Sequence, residues 1–198
     1  MENMNIRLFT AMLTLILSSA AAAQDSVPAH PYIEIDTSEG RVLLELDGRA
    51  APITVGHFLS LVDAGFFDGL IFHRVIEGFM VQGGGYTPGL KLKEDERSIP
   101  NESGNGLANA RGTVAMARTS DPHSANSQFF INVADNFRLD PNKTPGGGSW
   151  GYTVIGKVIE GMEVIDASAA VPTGVQQGMR DVPQIPIIIK SAKRYTFE

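Results

Sequence analysis

Two stretches of this 198-residue chain combine residue types that could do chemistry: Phe72-His73-Arg74-Val75-Ile76-Glu77-Gly78-Phe79-Met80-Val81-Gln82-Gly83-Gly84 and, further along, Gln128-Phe129-Phe130-Ile131-Asn132. Together they set a guanidinium, amides and several large apolar side chains on what read as neighbouring strands. No nucleophile, metal-ligand cluster or phosphate loop stands among them. Such an inventory suits a reaction that makes and breaks no covalent bond.

Side chains on a strand alternate between faces, so Phe72, Arg74 and Ile76 are expected on one face and His73 and Val75 on the other. Arg74 then points where two apolar neighbours point. A half-buried arginine is costly unless paired, which leaves two readings: a structural arginine held by a carboxylate or backbone carbonyls, or a functional donor. The neighbours favour the donor. Gly78 permits a tight bend, Phe79 and Met80 offer compact apolar surface, and Gln82 brings an amide that both donates and accepts. Phe129 and Phe130, adjacent on one strand, face opposite ways, one towards a core and one towards a surface pocket.

Other motif matches fail on context. Gly147-Gly148-Ser149-Trp150-Gly151 fits the nucleophile elbow, but that motif sits between a strand and a helix and needs a later His. Here Pro145-Gly146 precedes it, strand-like Tyr152-Thr153-Val154-Ile155 follows, and the last histidine is His123. Gly146-x-Gly148-x-x-Gly151 matches a dinucleotide fingerprint without its βαβ setting and reads as a glycine-rich turn. His30, His57, His73 and His123 have no paired-ligand spacing, so neither a metal nor another cofactor is expected. Asn101-Glu102-Ser103 and Asn142-Lys143-Thr144 match the glycosylation sequon, which matters only in a eukaryotic secretory pathway.

The N-terminus reads as a targeting segment. One Arg lies in Met1 to Arg7, Leu8 to Leu17 is almost wholly apolar, and Ser18 to Ala23 supplies small residues for cleavage. The apolar run falls short of the ~20 residues of a membrane span, and no basic stop-transfer cluster follows it. A signal peptide over residues 1–23 is therefore expected, with cleavage after Ala23 and a single domain over 24–198. The 175 residues that remain suffice for one domain with a sizeable core. The chain has no cysteine, which removes lipoprotein attachment, disulfides and thiolate chemistry. Its net charge is −6 with no block of Lys or Arg, which argues against nucleic acid or anionic membrane as a partner.

The elements that must position the two stretches follow a period of two. Tyr32–Asp36 and Val42–Leu46 alternate around a Ser38-Glu39-Gly40 turn. Ile71–Ile76, Met80–Gly83, Thr113–Ala117, Gln128–Val133, Thr153–Val158 and Pro186–Tyr195 complete eight strands. Helical spacing marks Pro52–Ala64, with Gly65 as its stop, and Met162–Ala169. The chain is thus mostly β, either a barrel or a sandwich. The long stretch Gly83–Gly112 carries the charge run Lys93-Glu94-Asp95-Glu96-Arg97, which reads as solvated surface; the loop as a whole is placed to form one wall of a groove.

Both stretches, and most of the chain from the first hairpin to the last strand, resemble the cyclophilin family of peptidyl-prolyl isomerases. The resemblance implies a closed eight-stranded antiparallel β-barrel capped by two α-helices. It places Arg74, Phe79, Met80, Gln82, Gln128, Phe130 and Leu139 along the family's proline-binding groove, and Ala117-Arg118 where a pair contacts the peptide backbone. Arg138 stands where many eukaryotic members carry a Trp that is a main contact for cyclosporin, and Tyr152 where they carry a His. The tracts Ala115–Asp121 and Ile131–Asn136 look most like bacterial periplasmic members. The resemblance further implies a monomeric periplasmic isomerase acting on Pro-containing peptides and on unfolded or partly folded exported proteins, free of the membrane after processing. Arg74, Phe79 and Gln82 would be catalytic, and Met80, Ala117, Arg118, Gln128, Phe130, Leu139 and Tyr152 would bind substrate. The competing reading is a non-catalytic chaperone that holds Pro-containing segments in the same groove.

Overall fold

The computed structural model describes residues 27–144 and 147–197, so the expected signal peptide lies outside the described residues. The chain forms β1 (Tyr32–Thr37), β2 (Arg41–Leu46), α1 (Pro52–Asp63), β3 (Ile71–Ile76), β4 (Met80–Tyr86), β5 (Thr113–Met116) and β6 (Phe129–Asn132). A 3₁₀ turn at Phe137–Leu139 leads to β7 (Asn142–Thr144), β8 (Gly147–Ser149), β9 (Val154–Glu160), α2 (Met162–Ala169), β10 (Thr173–Gln176), β11 (Met179–Pro183) and β12 (Ile187–Tyr195). Eight strands close into a barrel in the order β1-β12-β3-β4-β6-β5-β9-β2, every pair antiparallel. This is the expected fold.

Burial explains the elements. On β1, Ile33, Ile35 and Thr37 turn inward while Tyr32, Glu34 and Asp36 stay half exposed. The interior centres on Phe129, whose ring meets those of Phe58, Phe67 and Phe72 edge-on at 5.5, 5.5 and 6.0 Å. Burying a side chain of this size contributes roughly 1.5–3 kcal/mol. Helix α1 adds Val55, Phe58, Leu59 and Val62 to that cluster, and α2 adds Ile165 and Ala169.

Helix α1 starts at Pro52, whose missing N–H costs nothing in a first turn, and no local side chain caps it. The cap comes from the long loop. Glu102 accepts from the Ile53 and Thr54 amides at 3.2 and 2.8 Å and from the Thr54 hydroxyl at 2.6 Å, setting a carboxylate on the positive end of the helix. The charge run is anchored too. Lys93 donates to the Phe66 carbonyl at 2.6 Å over the Phe66 ring, and Arg97 grips Asp95, holding its carboxyl down to about 2. Glu94, exposed at the surface, lines a small recess with Gln82, Arg118 and Gln128.

The strict alternation expected on β3 is broken. Phe72 pairs with Gly83 and Arg74 with Gln82, so the register slips by one residue at His73. Phe72 therefore joins Val75 in the interior while Arg74 and Ile76 face outward. Such bulges re-aim side chains near functional sites, and here the slip separates Arg74 from Phe72. Two short hairpins, β7–β8 and β10–β11, were not expected; they lack an alternating apolar pattern, and β7–β8 falls in the glycine-rich tract.

Candidate active site

The outward residues of β4, β5, β6 and β9 build a second apolar cluster on the barrel wall. Met80, Ala115, Phe130 and Val154 are buried there, with Ile76, Phe79, Leu107, Ala117, Leu139 and Tyr152 packed around them. Phe129 points into the barrel and Phe130 out, as their adjacency requires. Above this floor lies a cavity of about 260 Å³ lined by Arg74, Phe79, Met80, Gln82, Ala117, Arg118, Phe130, Leu139 and Tyr152. Every candidate site residue except Gln128 lines it. Gln128 stands behind, where its Oε1 accepts from Gln82 Nε2 at 3.0 Å. A larger cavity of about 460 Å³, lined by Leu107 and Val154 among others, holds none of these candidates.

The polar edge of the site is a relay. Arg74 Nη1 donates to Gln82 Oε1 at 3.4 Å, and its Nε lies 3.7 Å from a carboxylate oxygen of Asp181. The guanidinium is half exposed at the rim. His73, by contrast, is buried against the Tyr86 ring, and burial, with the Arg74 charge adding to it, pushes its imidazole down to about 4. It is therefore neutral near pH 7.

The opposite wall is held by Arg118. Its guanidinium donates to the carbonyls of Gly151, Thr119 and Trp150 at 3.2, 2.9 and 2.8 Å and lies 4.6 Å from the centre of the Tyr152 ring. With its donors so committed, Arg118 shapes the wall, and Tyr152 packs edge-on against Phe130 at 5.6 Å. Arg138 covers Phe79, with its guanidinium 4.5 Å from the ring centre.

Sequence reasoning missed the scaffold beneath these walls. Asn136 donates to the Phe79 carbonyl and to Asn132, both at 2.8 Å. Asn132 donates to Thr113 at 2.9 Å and Asn109, and Asn109 donates to Asp140 at 2.8 Å. All three asparagines are buried, so each hydrogen bond satisfies a group that would otherwise be stranded. Asn132, polar in an otherwise apolar strand, is the one signal that could have announced this network. Asp181 was missed because its hairpin was missed.

Residues 32–194 match the family described as cyclophilin type peptidyl-prolyl cis-trans isomerase/CLD. The chain belongs to this family. It is 54% identical over 162 residues to peptidyl-prolyl cis-trans isomerase cyp18 of Streptomyces antibioticus, covering 81% of this chain and 96% of that protein. It is 45% identical over 190 residues to peptidyl-prolyl cis-trans isomerase A of Dickeya dadantii, covering 96% and 98%. Among solved structures, a Cryptosporidium parvum cyclophilin type isomerase crystallised in the presence of the dipeptide Ala-Pro superposes with a TM-score of 0.68 at 27% identity, covering 84% of this chain and 99% of that one. The cyclophilin is thus an enzyme, a peptidyl-prolyl cis-trans isomerase that catalyses rotation about X-Pro bonds. No covalent chemistry is required of its site.

Proposed function

We propose that the isomerisation takes place in the cavity between Arg74 and Phe130, with Arg74 as the donor that selects the twisted amide. An X-Pro bond resists rotation because the nitrogen lone pair is delocalised into the carbonyl, a barrier of ~18–20 kcal/mol. At the twisted transition state that pair is localised on nitrogen and accepts a hydrogen bond that the planar ground state does not. A guanidinium aimed there binds the transition state selectively. Phe79, Met80, Phe130 and Leu139 grip the proline ring, Tyr152 closes one side, and Gln82 with the Ala117-Arg118 main chain holds the flanking peptide so that rotation is confined to one bond. Shortening tens of seconds to tens of milliseconds takes roughly 4 kcal/mol, within reach of one charge-assisted hydrogen bond in a partly desolvated pocket.

The observation that carries this reading is the Arg74 guanidinium, hydrogen-bonded to Gln82, at the rim of an apolar cavity floored by Met80 and Phe130. Its test is NMR exchange on a short X-Pro peptide with the mature protein and with Arg74→Ala, which should abolish most of the catalysed exchange. Full exchange by the variant would overturn the donor role.

By the same proposal the enzyme is a periplasmic monomer, with residues 1–23 removed as a signal peptide and 24–198 left as one domain that works on exported, unfolded or partly folded chains. Its support is the charged start, short apolar run and small-residue cleavage site of the first 23 residues.

A further inference from the structure

The geometry points to Asp181 as the positioning residue for Arg74, an inference that rests on the donor role just proposed. The Asp181 carboxylate stands 3.7 Å from Arg74 Nε, on the opposite edge of the guanidinium from the Nη1 that meets Gln82 at 3.4 Å. Gln82 alone leaves the guanidinium free to turn about that one long hydrogen bond. An ion pair at Nε, longer than a hydrogen bond, opposes that turning from the other edge and so biases the direction in which the remaining N–H groups face.

The backbone at Asp181 is an independent observation. Its φ is +63°, the left-handed region that side chains other than Gly, Asn and Asp rarely adopt. The β10–β11 pairing shows why. Gly174 pairs with Val182 and Gln176 with Met179, so Arg180 and Asp181 together oppose Val175 in a bulge. Glycine would adopt this conformation more freely, and asparagine at least as well; the residue present adds a negative charge. Val182, next in the chain, is 2% exposed and β11 packs against β3, so the bulge is seated on the strand that carries Arg74.

Both side chains of the pair are about two-fifths exposed. A pair of this exposure contributes little to fold stability, which separates positioning from structure. Asp181 touches no reacting atom in this scheme. It acts through the guanidinium, reducing the rotameric freedom that Arg74 must lose at the transition state.

The test compares Asp181→Asn and Asp181→Gly, both compatible with the left-handed backbone, with the unaltered protein. Three readouts apply: kcat and KM on an X-Pro peptide, Tm, and the Arg74 Nε–H resonance. We expect kcat to fall about 3- to 10-fold with KM changed less than about twofold, the pattern of an interaction realised in the transition state. Tm should stay within about 2 °C, and the Nε–H signal should shift and exchange faster with water. In an Arg74→Ala background, Asp181→Asn should cost nothing further, because a residue acting only through Arg74 has nothing left to act on. Unchanged kcat in both Asp181 variants, beside an inactive Arg74→Ala, overturns the positioning role and leaves the donor role standing. An active Arg74→Ala overturns both.

Discussion

The Gln82 amide gives its Nε2 to Gln128 Oε1 at 3.0 Å and so turns its own Oε1 to Arg74. The order of these partners matters. A guanidinium only donates, so Gln82 must present oxygen to it, and Gln128 must then present oxygen to the Gln82 nitrogen. Gln128, which lines no part of the cavity around Arg74, thereby determines which end of Gln82 the Arg74 guanidinium meets. Gly85 packs against the same glutamine: a Cβ there would lie 2.6 Å from the Gln128 side chain. The relay from Gln128 to Arg74 therefore depends on backbone as well as on side chains.

A second close approach supports the opposite wall. A Cβ on Gly151 would lie 2.5 Å from the Pro141 nitrogen and 2.7 Å from the Leu139 carbonyl oxygen, both backbone atoms with little room to give. Tyr152, the next residue, donates its amide to that Leu139 carbonyl at 2.9 Å. Gly151→Ala should push Leu139 and Tyr152 apart and raise KM for an X-Pro peptide severalfold, although residue 151 does not line the cavity. Unaltered KM and kcat in the purified variant would show that the wall absorbs the strain.

The barrel was legible because burial leaves a periodic trace. All eight barrel strands and both helices were expected within a few residues of their observed ends, since each buries one face of a regular element. The contents of the cavity were legible through the family's motifs. What stayed hidden lacks periodicity. The slip at His73 is invisible in Phe72-His73-Arg74, where each residue fits strict alternation equally well. Asp181 sits on a short polar hairpin, and Asn109, Asn132 and Asn136 come together only through tertiary contacts. Glu102 caps a helix that starts 50 residues earlier in the chain, and nothing local announces that partnership.

His73 gives stability a pH dependence of known sign. Its folded value of about 4 lies below the ordinary 6.5, so between those values the unfolded chain binds more protons than the folded one. Stability must then fall as pH drops from about 6.5 towards 4, by an amount on the order of 3 kcal/mol at most. The Asp63 and Asp166 carboxyls, held below their usual range by Arg194 and Arg111, lose their contribution only at lower pH. His73→Gln should flatten Tm against pH between 6.5 and 4 relative to the unaltered protein. An equally steep dependence in the variant would exclude His73 as its source.

Cyclosporin should bind weakly. If Arg138 takes the place of the Trp that the family resemblance assigns to many eukaryotic members, the drug lacks a main contact here; the Arg138 guanidinium lies 4.5 Å from the centre of the Phe79 ring, which lines the cavity. Arg138→Trp should tighten inhibition, measured as the cyclosporin concentration that halves the isomerisation rate. Tight inhibition of the unaltered protein would mean that Arg138 does not occupy the Trp position.

The proposed cleavage after Ala23 has a direct readout. Protein recovered from the periplasm should have the intact mass of a chain beginning at Gln24, allowing for cyclisation of that residue. Full-length protein recovered in the membrane fraction would refute both the cleavage after Ala23 and the soluble periplasmic assignment.

The donor mechanism makes a kinetic claim about protons. Arginine as a residue type stays protonated throughout pH 6–8, and a rotation that transfers no proton needs no acid or base poised in that range. His73, the ionisable residue next to Arg74, is already neutral there because burial holds it at about 4. The rate constant kcat should therefore be nearly flat between about pH 6 and 8. Arg74→Lys should lose most activity, since an ammonium on a flexible stem keeps the charge but not the planar fork that meets Gln82 and Asp181 together. Phe130→Ala should damage binding and turnover alike by opening the floor of the cavity. Arg74→Ala should fold normally, because the side chain is half exposed and its ion pair lies at the surface, and should still bind Pro-containing peptides while failing to isomerise them. A steep bell-shaped pH profile would require a titrating group that the proposed mechanism does not contain, and would return Arg74 to a purely structural role.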